Sequence, residues 1–223
     1  MAFVASGCRL VVAVCLLGAT ALARPSRAEK YSGIGYQYSL NDVRAMFPSA
    51  TMEEDPAAWT QPTEKFYKIE GGGIPGRIRI LFSDVRPIFS NLYQAEPSGT
   101  ETEKLYYFAA SLPDNRAYVV EWVRWCPDVD LPVSALIKRF GRAFKKEVDG
   151  RDFSETYTWP KIAVSADLNA AGTRVINVNY VFTGRERTEG MDMLVKKVRS
   201  DFVAAGSPDI PPADSSTTED STE

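Results

Sequence analysis

The chain has 223 residues, 26 basic and 29 acidic side chains, aromatic residues at 11% and no histidine. The absence of histidine removes the commonest general base and metal ligand, and excludes a Ser-His-Asp site. Between residues 24 and 206 there are 25 basic and 24 acidic groups, a balance that argues against nucleic acid as a partner.

Arg9 precedes an apolar run at residues 10–17, and small residues follow it. Ala21-Leu22-Ala23 fits the small-x-small rule for cleavage after Ala23, and Ser26-Arg27-Ala28 offers a second site after Ala28. The run is shorter than the about 20 residues a membrane span needs. Residues 1–23 therefore read as a signal peptide, and the mature chain as a periplasmic or secreted protein with no transmembrane span. Residues 24–32 read as a flexible leader. Cys8 and Cys15 leave with the signal, so Cys126 is the lone thiol of the mature form and reads as buried. A disulfide-linked dimer through Cys126 is the alternative.

Residues 40–50 and 133–143 repeat one pattern at a shift of 93 positions. Leu40 meets Val133, Val43 meets Leu136, Phe47 meets Phe140 and Ala50 meets Ala143. The spacing predicts a short amphipathic helix in each copy, stopped by Pro48 and by Gly141. Ser39 or Asn41 caps the first helix, and Pro132 suits the start of the second. Alternation predicts strands at 65–69 and 78–82, across the Gly71-Gly72-Gly73 loop. Residues 104–112 and 117–125 read as two strands joined by a turn at Pro113-Asp114-Asn115-Arg116. The second is apolar on both sides apart from Glu121 and Arg124, as a strand covered on both faces would be. Strands at 153–159, 162–168 and 176–182 follow, the last two forming a hairpin about residues 169–172. Met193, Leu194, Val198 and Phe202 mark a C-terminal helix over 189–205. Residues 207–223 hold five acids and almost no apolar side chains, and are expected to be disordered.

The fold expected is α+β: an antiparallel sheet with short helices packed on it, a tandem duplication of a helix-plus-hairpin unit, and a C-terminal helix. The halves are 33–112 and 113–206.

The candidate binding residues are Trp59, in a polar loop, and Trp122 with Trp125, the densest aromatic cluster. Arg77 and Arg79 share one face of their strand and suit an anionic group. The glycine loop lacks a Gly-Lys-Ser/Thr ending and a following helix, so it is no phosphate loop. The acid clusters Glu53-Glu54-Asp55 and Asp128 with Asp130 could supply a carboxylate pair, but adjacent acids in turns are ordinarily solvated or capping. Asp128 and Asp130 lack the ligand spacing of a calcium loop. No catalytic residue, cofactor or metal site is expected.

Residues 133–143, Tyr157-Thr158-Trp159 and residues 162–180 together resemble the small bacterial envelope domains of the outer-membrane assembly lipoprotein type. They also resemble tandem-repeat β-lactamase inhibitor proteins, which duplicate such a unit. The chain departs from that pattern in lacking a lipid-attachment cysteine, in an extra hairpin between the copies and in an added C-terminal helix. The resemblance implies non-enzymatic binding of another envelope or secreted protein by a sheet face and loops. A small-ligand or glycan binder using Trp59 is the alternative, and a hydrolase with paired carboxylates is third.

Mass spectrometry of the exported protein should find an N-terminus at Arg24 or Glu29. An intact Met1 on the exported chain would refute the signal reading.

Overall fold

A computed structural model describes residues 31–56, 60–151 and 154–208. The signal segment with Ala23 and Ala28, Trp59, Phe153 and residues 209–223 lie outside the described residues.

Helix α1 (Leu40–Met46) opens with the predicted cap. Ser39 N donates to Asp42 Oδ2 at 2.8 Å, and Asp42 N donates back to Ser39 Oγ at 3.3 Å. This reciprocal pair satisfies two helix-end donors. Strands β1 (Ala50–Glu54), β2 (Glu64–Gly71) and β3 (Arg77–Asp84) follow as an antiparallel meander. Then come α2 (Arg86–Ala95), α3 (Glu101–Ala110), the single turn α4 (Asp114–Ala117) and strand β4 (Tyr118–Cys126). The second run repeats the order: α5 (Val133–Phe140), then β5 (Lys145–Val148), β6 (Glu155–Trp159), β7 (Val164–Leu168) and β8 (Val175–Val181). Helix α6 (Gly184–Ala204) closes the described chain.

The sheet has eight strands in the order β1-β2-β3-β4-β8-β7-β6-β5, every neighbouring pair antiparallel. Each helix-led meander ends on its fourth strand, and the two fourth strands pair with each other at the centre. The segments 33–112 and 113–206 thus share one continuous sheet.

Residues 104–110 are part of helix α3, not of a strand, and residues 111–112 form the turn that ends it. Leu105, Phe108, Ala109 and Leu112 recur at helical spacing, and Thr100 caps the start through a bond from Glu103 N at 3.0 Å. Burial of Leu105, Ala109 and Leu112 outweighs the strand preference of Tyr106, Tyr107 and Phe108. The expected hairpin turn at 113–116 is the short helix α4, with Pro113 before its first residue. The C-terminal helix starts at Gly184, earlier than expected, because Thr183 and Glu186 cap each other. Its buried Gly190, Leu194, Val198 and Phe202 form a stripe of period four. A Cβ at Gly190 would lie 2.8 Å from Tyr36 Cβ, so only glycine lets α6 sit this close.

One core holds the molecule together. Ile69, Ile78, Ile80, Phe82, Val120 and Val123 of one sheet face meet Val43, Leu105, Leu136, Leu194 and Phe202 of the helices. Burying each large apolar side chain contributes about 1.5–3 kcal/mol. Tyr31, which the sequence assigns to the leader, packs into this core against Trp125 and Tyr180 at ring separations of 5.4 and 5.9 Å.

Phe82 and Phe66 stand on opposite faces of the sheet. Phe82→Ala should cost about 3–5 kcal/mol in urea unfolding, as a cavity in a closed core does. Phe66→Ala should cost less than about 1.5 kcal/mol, the scale of an aromatic pair. Equal losses would refute the assignment of faces.

Candidate functional site

Period-two alternation places every second strand residue on the face turned away from the core. That face is not covered on both sides of β4, as the sequence reading expected. Apart from Asn179, its central strand residues at the positions below are half-buried or exposed. Register lines them up in rows across the sheet.

The first row is apolar: Phe66, Leu81, Trp122 and Val181, on β2, β3, β4 and β8. Val181 is 38% exposed. Phe66 and Trp122 meet edge to face at 5.6 Å between centroids. The second row crosses all eight strands: Glu53, Lys68, Arg79, Arg124, Asn179, Ser165, Thr158 and Lys145. The rows interlock through the arginines. The Arg79 guanidinium lies 4.7 Å from the Phe66 centroid, and that of Arg124 lies 4.5 Å from Trp122. Cation–π attraction of this kind contributes about 0.5–1 kcal/mol at an exposed site and holds each guanidinium over its ring.

Arg79 and Arg124 are directly paired across β3 and β4. Like charges placed opposite each other destabilise a sheet. Asp55 partly relieves the pair by accepting from Arg79 Nη2 at 2.9 Å. Arg124 donates through Nε to Asn179 Oδ1 at 2.7 Å, and no carboxylate among the described residues pairs with it. Asn179 in turn donates to Ser165 Oγ at 3.4 Å, Asp167 Oδ2 at 3.3 Å and Asn177 Oδ1 at 3.1 Å, while Thr156 holds Asp167 Oδ1 at 2.9 Å. This network fixes the β8 side of Arg124 and accounts for the burial of Asn179.

The structure thus brings together Trp122, Arg79 and, one row further, Arg77, whose Nη1 lies 3.7 Å from Glu70 Oε1. Trp125 does not join them. Three residues beyond Trp122 in a strand, it points to the opposite face, is buried, and donates from Nε1 to Pro75 O at 2.9 Å. It is a core residue, which corrects its assignment to a binding cluster. Cys126 is half-buried beside Arg77 in register and is the one cysteine among the described residues. Sequence reasoning missed Phe66, Leu81, Arg124 and Val181. Phe66 and Arg124 were visible as alternate residues of predicted strands, but only register shows that they share a patch.

Two of the candidate acids have partners. Tyr67 Oη donates to Glu54 Oε2 at 3.3 Å, and Asp130 lies 3.6 Å from Arg174. Burial raises the Glu121 carboxyl above its ordinary range, with the paired Arg187 pulling it back. Among the described residues no group of three potential ligands gathers to hold a metal. A separate groove of about 740 Å³ is lined by Ser134, Ile137, Lys138, Arg142 and Phe144 on α5 and the loop after it. No hydrogen bond joins Ser134 to Lys138 there.

No protein-family model, curated protein or solved structure matches this chain. No helix among the described residues is long and apolar enough to cross a membrane.

If Arg124 serves binding more than folding, Arg124→Gln should change stability by no more than about 1 kcal/mol, the scale of the stacking that it loses. At low salt the change should favour the variant, because one of two opposed charges is gone. Urea unfolding at two ionic strengths checks this. A loss above about 1 kcal/mol would make Arg124 a structural residue.

Proposed function

We propose that the chain is an exported, non-enzymatic binding module that engages another envelope or secreted protein through the uncovered face of its sheet. The observation that carries this reading is the row Phe66, Leu81, Trp122 and Val181, held flat and rimmed by Arg79 and Arg124. Trp and Arg are the residue types that dominate binding energy at protein interfaces, chiefly where rigid anchors sit at the centre of a patch. Here both are fixed before any partner arrives: the rings by edge-to-face packing, the guanidinium groups by stacking and by Asp55 and Asn179. Preorganisation lowers the entropy cost of association. The surface is broad and shallow, which suits a protein better than a small molecule, whose sites are concave. Export rests on the signal reading of residues 1–23, and binding by a sheet face is also what the envelope-domain resemblance implies.

The reading is tested by crosslinking the tagged protein in its native envelope and identifying captured chains by mass spectrometry. One stoichiometric partner should be captured, lost on Trp122→Ala and kept on Val203→Ala, which removes an apolar side chain exposed elsewhere on α6. Capture that survives Trp122→Ala, or no partner at all, would overturn the reading.

A further inference from the structure

Resting on that reading, we infer that the partner presents an acidic loop, whose carboxylate is taken by the terminal amino groups of Arg124 while a neighbouring apolar side chain covers Trp122 and Val181. Lys68, Arg77, Arg79 and Arg124 stand on three adjacent strands, and the acids on the same face around them are Asp55, Glu70, Glu53, which is paired in register with Lys68, and Asp167, which is bonded to Asn179. Glu70 is shared, 3.2 Å from Lys68 Nζ and 3.7 Å from Arg77 Nη1. Asp55 is taken by Arg79. The cation without an acid is Arg124, whose Nε alone is bonded, at 2.7 Å to Asn179.

Geometry makes Arg124 a directed donor. The guanidinium lies 4.5 Å from the Trp122 centroid and Asn179 holds its Nε, which leaves Nη1 and Nη2 with no acceptor among the described residues. A guanidinium fork matches a carboxylate in two parallel hydrogen bonds. The opposed Arg79 adds a second positive charge at the same point and makes this location costly to leave unneutralised. A bound carboxylate relieves that repulsion, so the partner's charge is complementary to the feature of this face least favourable in the free protein. Beside the fork, Trp122 and Val181 offer an apolar seat on adjacent strands. A loop reaches both at once, since neighbouring strands lie only about 4.8 Å apart.

The test uses the full chain as bait for a phage-displayed library of random disulfide-closed loops. Selected loops should carry Asp or Glu next to an aliphatic or aromatic residue. A synthetic selected loop should lose at least about tenfold in affinity on Arg124→Gln. It should lose as much when its own acid is changed to the amide, and both changes together should cost little more than either alone. Its affinity should fall with added salt. Loops that need Trp122 but lack an acid and bind Arg124→Gln undiminished would overturn the acidic-loop inference and leave the binding reading standing. Loops whose binding survives both Arg124→Gln and Trp122→Ala would overturn both. Self-association of the chain that is lost on Arg124→Gln, seen by sedimentation, would make a second copy the occupant and overturn the inference as well.

Discussion

The pairing of β4 with β8 is the contact on which the architecture turns. Four residue pairs, from Trp122 with Val181 to Trp125 with Val178, close the seam between two four-stranded meanders. Without it each meander would end in a bare edge of unpaired backbone groups, a hazard that proteins avoid. β4 is also paired along its length with β3. It therefore transmits one register through the sheet, and rows of side chains run unbroken from Glu53 on one edge strand to Lys145 on the other. The free edges fall on β1 and β5, where exposed Glu53, Lys145 and Lys146 discourage further strand addition.

A sheet with helices packed on one face has two surfaces with different demands. The covered face is selected for volume and dryness, and it carries buried aliphatic and aromatic side chains almost without interruption. The other face has only to be soluble, yet it holds two opposed arginines, each stacked on an aromatic ring. Stability alone gives no reason for that arrangement. A single threonine or glutamine at either position would remove the repulsion. Such local departures from the most stable choice are where binding surfaces are expected.

The sequence disclosed much of this, unevenly. Wherever one face of an element was buried and the other wet, the period was readable: α1, α5, β3 and β8 fall close to where the pattern put them, while β7 starts only at Val164, after a 3-10 turn that takes up Ile162. The reading failed at α3, where tyrosines and a phenylalanine in a row imitate a strand, although Leu105, Ala109 and Leu112 carry the helical spacing. It passed over α2, in which Ile88, Phe89, Leu92 and Tyr93 follow Pro87 at the helix start. Edge strands β1 and β5 were invisible because no face of β5 is buried and little of β1 is. Trp122 and Trp125 looked like one cluster because they are close in sequence. An odd separation in a strand puts them on opposite sides, and only Trp122 belongs to the candidate surface.

By itself the sequence determined the lack of histidine chemistry, the α+β class and the helical or strand period of the better-patterned segments. These are properties of composition and of local spacing, legible within a window of a few residues. Tertiary structure decided which strands are neighbours, which face the helices cover and which side chains share a row. Phe66, Arg79, Trp122 and Arg124 lie as far as 58 positions apart in the chain and become one surface only through register. Register is set by the joint burial of a whole sheet face and by the central seam. No segment of the chain, read alone, contains that constraint.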